Sequence, residues 1–144
     1  PGGGWRYVEM DWMPLYPFGY GLSYTSFAYD NLELSASSIR PGETLQVSFD
    51  VTNTGHCAGA DVPQIYLNDK FSSTVKPVME LAAFTKIELQ PGETRRVTLE
   101  IGPRQMRTLG PDYVWRVEPG DFEVTLGVNA ADMRLKASFS VTEE

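Results

Sequence analysis

Between Leu45 and Thr52 apolar and polar residues alternate without a break: Leu45, Val47, Phe49 and Val51 against Gln46, Ser48, Asp50 and Thr52. Successive side chains of a strand point to opposite faces, so this period builds a strand with one face buried and one wet. The same period returns three times. Val97, Leu99 and Ile101 alternate with Thr98 and Glu100; Phe122, Val124, Leu126 and Val128 with Glu123, Thr125 and Gly127; Leu135, Ala137, Phe139 and Val141 with Lys136, Ser138 and Ser140. Two further segments are strands with a flaw. In Phe27 to Ala36 the buried parity shifts between Tyr29 and Leu32, which predicts a bulge near Asp30 and Asn31; in Phe84 to Leu89 the slip falls at Thr85 and Lys86. Val62 to Leu67 and Val114 to Glu118 complete a set of about eight strands, the pattern of an all-β, immunoglobulin- or fibronectin-like two-sheet sandwich.

Turn chemistry agrees. Pro41-Gly42, Pro91-Gly92 and Pro119-Gly120 each precede a clean alternating strand. Proline presets the first central position of a type II turn and glycine supplies the positive φ of the second. Their unequal spacing argues against a tandem repeat. Helix is confined to a turn or two within Pro103 to Leu109, and Asn68 to Lys76 reads as an exposed loop.

At 144 residues the chain suits one domain, large enough to bury roughly 70% of its unfolded surface. Its net charge is −7 and its twelve Lys and Arg are scattered, whereas a protein that tracks phosphates gathers positive charge on one face. Nucleic acid is therefore excluded as a partner. No apolar run approaches ~18 residues, which excludes a membrane-spanning helix. The chain opens PGGGWRYV, without initiator Met, basic n-region or h-region, and reads as a piece of something longer. Cys57 is the single cysteine, so no internal disulfide forms.

The first thirty residues behave differently. Of seventeen aromatic residues, nine lie between Trp5 and Tyr29. Glycine and proline punctuation keeps most of this stretch out of a sheet. The reading is an extended arm over residues 1–26, laying rings on a surface, followed by a sandwich over 27–144. That surface is either its own sandwich or a neighbour's.

Other candidates reduce to ordinary structure. Asp30, Asp61, Asp69, Asp112, Asp121 and Asp132 sit beside turns or strand ends, and no spacing forces two of them into the ~5–10 Å separation of a glycosidase pair. His56-Cys57 lies in a loop from Gly55 to Gly59; with one His and one Cys, neither a structural zinc site nor a facing dyad is supported. GYGLS (19–23) lacks the lysine of a P-loop and the frame of a nucleophile elbow, which leaves Ser23 as a turn residue. The aromatic residues fit either a sugar-binding platform or packing at an interface. No catalytic, metal or cofactor constellation is legible.

Three stretches taken together resemble the C-terminal fibronectin type III-like domain of glycoside hydrolase family 3, the β-glucosidase and β-xylosidase family. The first is PLYPFGYGLSYT (Pro14–Thr25), near-identical to the linker by which that family enters this domain. The second is VTNTG (Val51–Gly55), followed by Gly59 and VPQIYL (Val62–Leu67). The third is WRVEPGDF (Trp115–Phe122), then Gly127 and DMRL (Asp132–Leu135). Leu81, Phe84, Lys86 and LQPGE (Leu89–Glu93) lie between them in the expected order, and WRYV (Trp5–Val8) resembles the end of the preceding α/β domain. Met79, Ala82 and Ala83 depart from the family, which often has basic residues and a glycine there.

The resemblance implies that the nucleophile and the acid/base carboxylate lie in other domains, so no catalytic residue carries over and no cofactor is needed. It implies a non-catalytic accessory role beside a catalytic barrel and an α/β sandwich domain. The parent would be a retaining exo-glycosidase acting on β-linked oligosaccharides with terminal glucosyl or xylosyl units, in a secreted or periplasmic setting. Trp12, Tyr16, Pro17, Phe18, Tyr20 and Tyr24 become the expected interdomain seam. A stand-alone carbohydrate-binding or adhesion module is the alternative.

Overall fold

The structure is a computed structural model and describes residues 16–71 and 79–143. Its elements, in chain order, are β1 (Phe27–Leu34), β2 (Ser38–Ile39), β3 (Leu45–Asn53), β4 (Gly59–Asp61), β5 (Gln64–Asp69), β6 (Glu80–Phe84), β7 (Ile87–Leu89), β8 (Thr94–Ile101), α1 (Pro103–Met106), β9 (Thr108–Leu109), β10 (Trp115–Arg116), β11 (Gly120–Asn129) and β12 (Asp132–Val141). Two principal sheets face each other, with strand orders β1-β3-β8 and β2-β12-β11-β5-β6. All neighbours are antiparallel except the short parallel β2–β12 pair.

Strand β3 shows why the alternation builds this fold. Leu45, Val47, Phe49 and Val51 are wholly buried, while Gln46 is exposed and Ser48, Asp50 and Thr52 are half-buried. Opposite them across the core, Ile65, Leu67, Phe122, Val124, Leu126, Phe139 and Val141 point in from the five-stranded sheet. Phe122 and Phe139 face each other across β11 and β12 with ring centroids 5.3 Å apart. On the outer face of the small sheet the cross-strand pairs are polar, as in Ser48–Thr98 and Thr52–Thr94.

The bulge expected in the first strand is present. Pairing of β1 with β3 slips between Asp30 and Glu33, and Asn31 sits at φ 53°, a left-handed conformation that asparagine tolerates. Asn31 donates to Asp50 at 2.7 Å, and Arg96 of β8 donates to the Asn31 carbonyl at 2.9 Å while pairing with Asp50.

Several details differ from the alternation pattern. The slip at Thr85–Lys86 is a change of sheet: β6 pairs with β5, while β7 pairs with β4 in a separate two-stranded ladder. Bulges around Gly127 shift the end of β11, so Asn129 turns inward and Val128 is only half-buried. Segment 114–118 forms only the two-residue β10, exposed at both positions and paired with β9, which also takes up the end of the expected helical stretch. Asn68 and Asp69 belong to β5 rather than to the loop that follows, most of which lies outside the described residues.

Two of the three Pro-Gly turns are alike in full. Gly42 and Gly92 have φ 97° and 76°, and the glutamate after each donates its N–H back to Arg40 O or Gln90 O. Each glutamate side chain also accepts the backbone N–H of the residue opening the turn, at 2.8 Å from Arg40 and 2.8 Å from Gln90. Pro119-Gly120 differs: Gly120 is already the first residue of β11, so no type II turn forms there.

Candidate functional site

The arm is described from Tyr16 onward, and it is fastened by its backbone. Pro17 to Tyr20 make a turn closed by Tyr20 N–H to Pro17 O at 3.0 Å, with Gly19 at φ 80°. The Phe18 carbonyl accepts Ala130 N–H at 2.9 Å, beyond the end of β11, and the Gly19 carbonyl accepts Gln64 Nε2 at 3.0 Å. Further along, Ser23 Oγ donates to Ala60 O, Cys57 Sγ to Tyr24 O, and Thr54 N–H to Ser26 O.

Two buried amides receive the arm. Gln64 is 5% exposed and its Nε2 donates to Val128 O as well as to Gly19 O, while Tyr66 Oη donates to its Oε1. A Cβ on Gly19 would stand 2.3 Å from that Oε1, so only glycine allows this approach. Asn53, wholly buried at the end of β3, has all four polar positions engaged. Its Nδ2 donates to Cys57 O at 2.9 Å and Leu89 O at 3.1 Å; its Oδ1 accepts Thr25 Oγ1 at 2.8 Å and Gly55 N–H at 3.0 Å. One side chain thus joins the arm, the 55–59 loop and β7. Sequence reading passed over Asn53, although the inward parity 45, 47, 49, 51 falls next on residue 53.

With the arm bonded to the sandwich through the Phe18 and Gly19 carbonyls and Ser23 Oγ, its large side chains face out. Tyr16 is 65% exposed, Phe18 67%, Tyr20 43%, Leu22 88% and Tyr24 wholly exposed. Tyr16 and Tyr20 lean on each other, ring centroids 5.1 Å apart. Pro17 is half-buried. Of the expected seam residues, Trp12 lies outside the described residues. A cleft of about 330 Å³ opens between this arm and the sandwich, floored by Asp61, Val62 and Gln64.

The remaining candidates are structural. Asp61 accepts the Tyr29 hydroxyl, tying β1 to β4, and burial followed by that carboxylate pushes the phenol pKa well above its ordinary range. Asp112 and Asp132 pair with Arg116 and Arg134, and Asp69 accepts Phe71 N–H. Cys57 lies exposed in its turn. Among the described residues no three His, Cys, Asp or Glu side chains gather as a metal site.

Comparisons with known proteins follow the fold. Residues 61–130 match the family described as fibronectin type III-like domain. β-Glucosidase B of Emericella nidulans is 41% identical over 128 residues, covering 88% of this chain and 15% of that protein. A putative β-xylosidase of Formosa agariphila is 36% identical over 135 residues, 94% of this chain and 18% of its own length. Among solved structures, β-glucosidase 3B from Thermotoga neapolitana superposes with a TM-score of 0.83 at 42% identity, over 91% of this chain and 18% of that one. The chain therefore spans less than a fifth of the length of these relatives.

Proposed function

This chain is a fibronectin type III-like domain of the kind carried by family 3 β-glucosidases and β-xylosidases, and on that premise we propose that it is the accessory, non-catalytic domain of a longer glycosidase, held to its catalytic domains by the outer face of the aromatic arm. One observation supports this reading above the others. The arm spends its backbone hydrogen bonds on its own sandwich and leaves Tyr16, Phe18, Tyr20, Leu22 and Tyr24 in water. A free tail relieves such exposure by folding its rings inward, whereas an interface concentrates aromatic side chains. Residues 1–26 are the connecting arm in this reading, 27–144 the buttress. The chemistry, on terminal β-linked glucosyl or xylosyl units, belongs to the barrel and α/β domains of the parent.

An antibody against this chain tests the premise in cells of the source organism. A band several times 16.1 kDa is expected, and a band near that mass overturns the reading in favour of a module that works alone. In the long protein, Phe18→Ala with Tyr20→Ala should lower the thermal midpoint at about 2–4 °C per kcal/mol of lost packing. An unchanged midpoint removes the arm from the interface.

A further inference from the structure

A second exposed aromatic group lies at the other end of the molecule. The arm docks on Gln64 and Ala130, at the start of β5 and the end of β11. Gly120, at the opposite end of β11, lies about 30 Å away along that strand, and Asp69, at the opposite end of β5, about 17 Å from Gln64. There the hairpin of β9 and β10 presents Tyr113, 85% exposed, and Trp115, 55% exposed, with Phe71 beside Gly120 at the same end.

The hairpin is built stiffly around these rings. Gly110 N–H donates to Val114 O at 3.0 Å, Tyr113 N–H to Gly110 O at 2.9 Å, and Val114 N–H to Asp112 Oδ1 at 3.3 Å. Asp112 pairs with Arg116 four residues on, and the Arg107 guanidinium sits 4.6 Å from the Trp115 ring centre. Tyr113 itself is at φ 59°. For a bulky residue that conformation is strained, and strain of this kind gathers at binding sites. Among the described residues nothing repays it by burying the ring.

We propose that the Tyr113–Trp115 hairpin is a carbohydrate-contact platform, and that its ligand is the β-linked glucan or xylan chain on which the parent acts. The choice of polysaccharide rests on the function proposed above. The chemistry of the site is its own. Ring faces carry negative quadrupole charge and attract the C–H-lined face of a pyranose. Arg107 lies over one face of the Trp115 ring, and the Asp112–Arg116 pair of the same hairpin carries donors and acceptors for sugar hydroxyls. The patch is also small: a stable protein interface takes about 20–30 residues a side, and a few rings suffice for a sugar unit. Standing at the far end from the arm, the hairpin stays open when the arm is covered.

The test is affinity electrophoresis of the full 144-residue chain through gels containing neutral hydroxyethylcellulose or arabinoxylan, with a non-binding protein as mobility reference. Retardation of the wild type is expected in at least one gel. Trp115→Ala and Tyr113→Asn, the latter chosen because asparagine keeps the left-handed backbone, should each weaken it by roughly fivefold or more. Phe18→Ala should migrate as wild type. Free migration of the wild type in both gels, retardation that survives both hairpin substitutions, or retardation lost in Phe18→Ala overturns the proposal. Of these outcomes only loss in Phe18→Ala bears on the accessory-domain reading, by making the arm the sugar-binding face; the mass and thermal stability of the long protein test that reading separately.

Discussion

Asn53→Ala is the most demanding test of how the arm is held. The side chain is wholly buried and makes four hydrogen bonds, to Thr25, Gly55, Cys57 and Leu89. At about 1 kcal/mol net each, the set contributes about 4 kcal/mol. Thr25, Gly55 and Cys57 lie near the surface and regain part of their loss by hydration. Leu89 is 1% exposed, so water has little access to its carbonyl. The expected cost is therefore about 3 kcal/mol. With a urea m-value of about 1.5–2 kcal/mol/M, the midpoint falls by about 1.5–2 M with the slope unchanged. Asn53→Asp sharpens the measurement, because it keeps the acceptor and replaces the nitrogen that supplies both donors with one oxygen facing two carbonyls. Its buried carboxyl takes up a proton at higher pH in the folded state than in the unfolded one. Its deficit should accordingly shrink as pH falls from 7 towards about 4, when the acid donates to one carbonyl again. A loss below about 1 kcal/mol for Asn53→Ala, at unchanged slope, would refute the claim that this amide is the knot between arm and sandwich.

Other consequences follow from the same geometry. Gly19→Ala forces a Cβ against Gln64 at a positive φ, and should cost roughly 1–3 kcal/mol and speed limited proteolysis within the arm; an unaltered melting curve counts against the docking described here. Tyr29 keeps its proton in the fold beyond its ordinary pKa of 10.0, so as pH rises past that value the unfolded chain ionises first and stability falls. Tyr29→Phe removes that component, and equal alkaline losses for both proteins between about pH 9 and 11 would contradict it. Glu93 is held below its ordinary 4.5 by the Gln90 N–H and then by Arg95, so its contribution is present above that value and lost as pH falls through the folded pKa. Glu93→Gln should therefore flatten the acid side of a stability–pH profile, and an unchanged acid slope would show the turn to be indifferent to this charge.

The sheets were legible in the sequence because a strand declares itself locally: every second side chain of Leu45 to Val51 meets the same core. The alternation fails where a neighbour intervenes: at the crossing from β6 to β7, whose partners β5 and β4 lie well back in the chain, and at the bulge by Gly127, set by pairing within the β11–β12 hairpin. The arm is the instructive case. Tyr16, Phe18, Tyr20, Leu22 and Tyr24 alternate with Pro17, Gly19, Gly21 and Ser23 in the same period of two, yet the large side faces water, while on the small side Gly19 closes on Gln64. Hydrophobicity alone would turn the rings towards the core. What turns them out is main-chain bonding, Gly19 O to Gln64 and Phe18 O to Ala130, which needs residues thin enough to let the backbone approach. Composition cannot announce that choice, since glycine in a sequence marks a turn as readily as a close contact. Once Gly19 is fixed against Gln64, the rings of Tyr16, Phe18 and Tyr20 stay in water unless a second body covers them. On the function proposed above that body is the rest of the parent, and the arm then ties it to the sandwich.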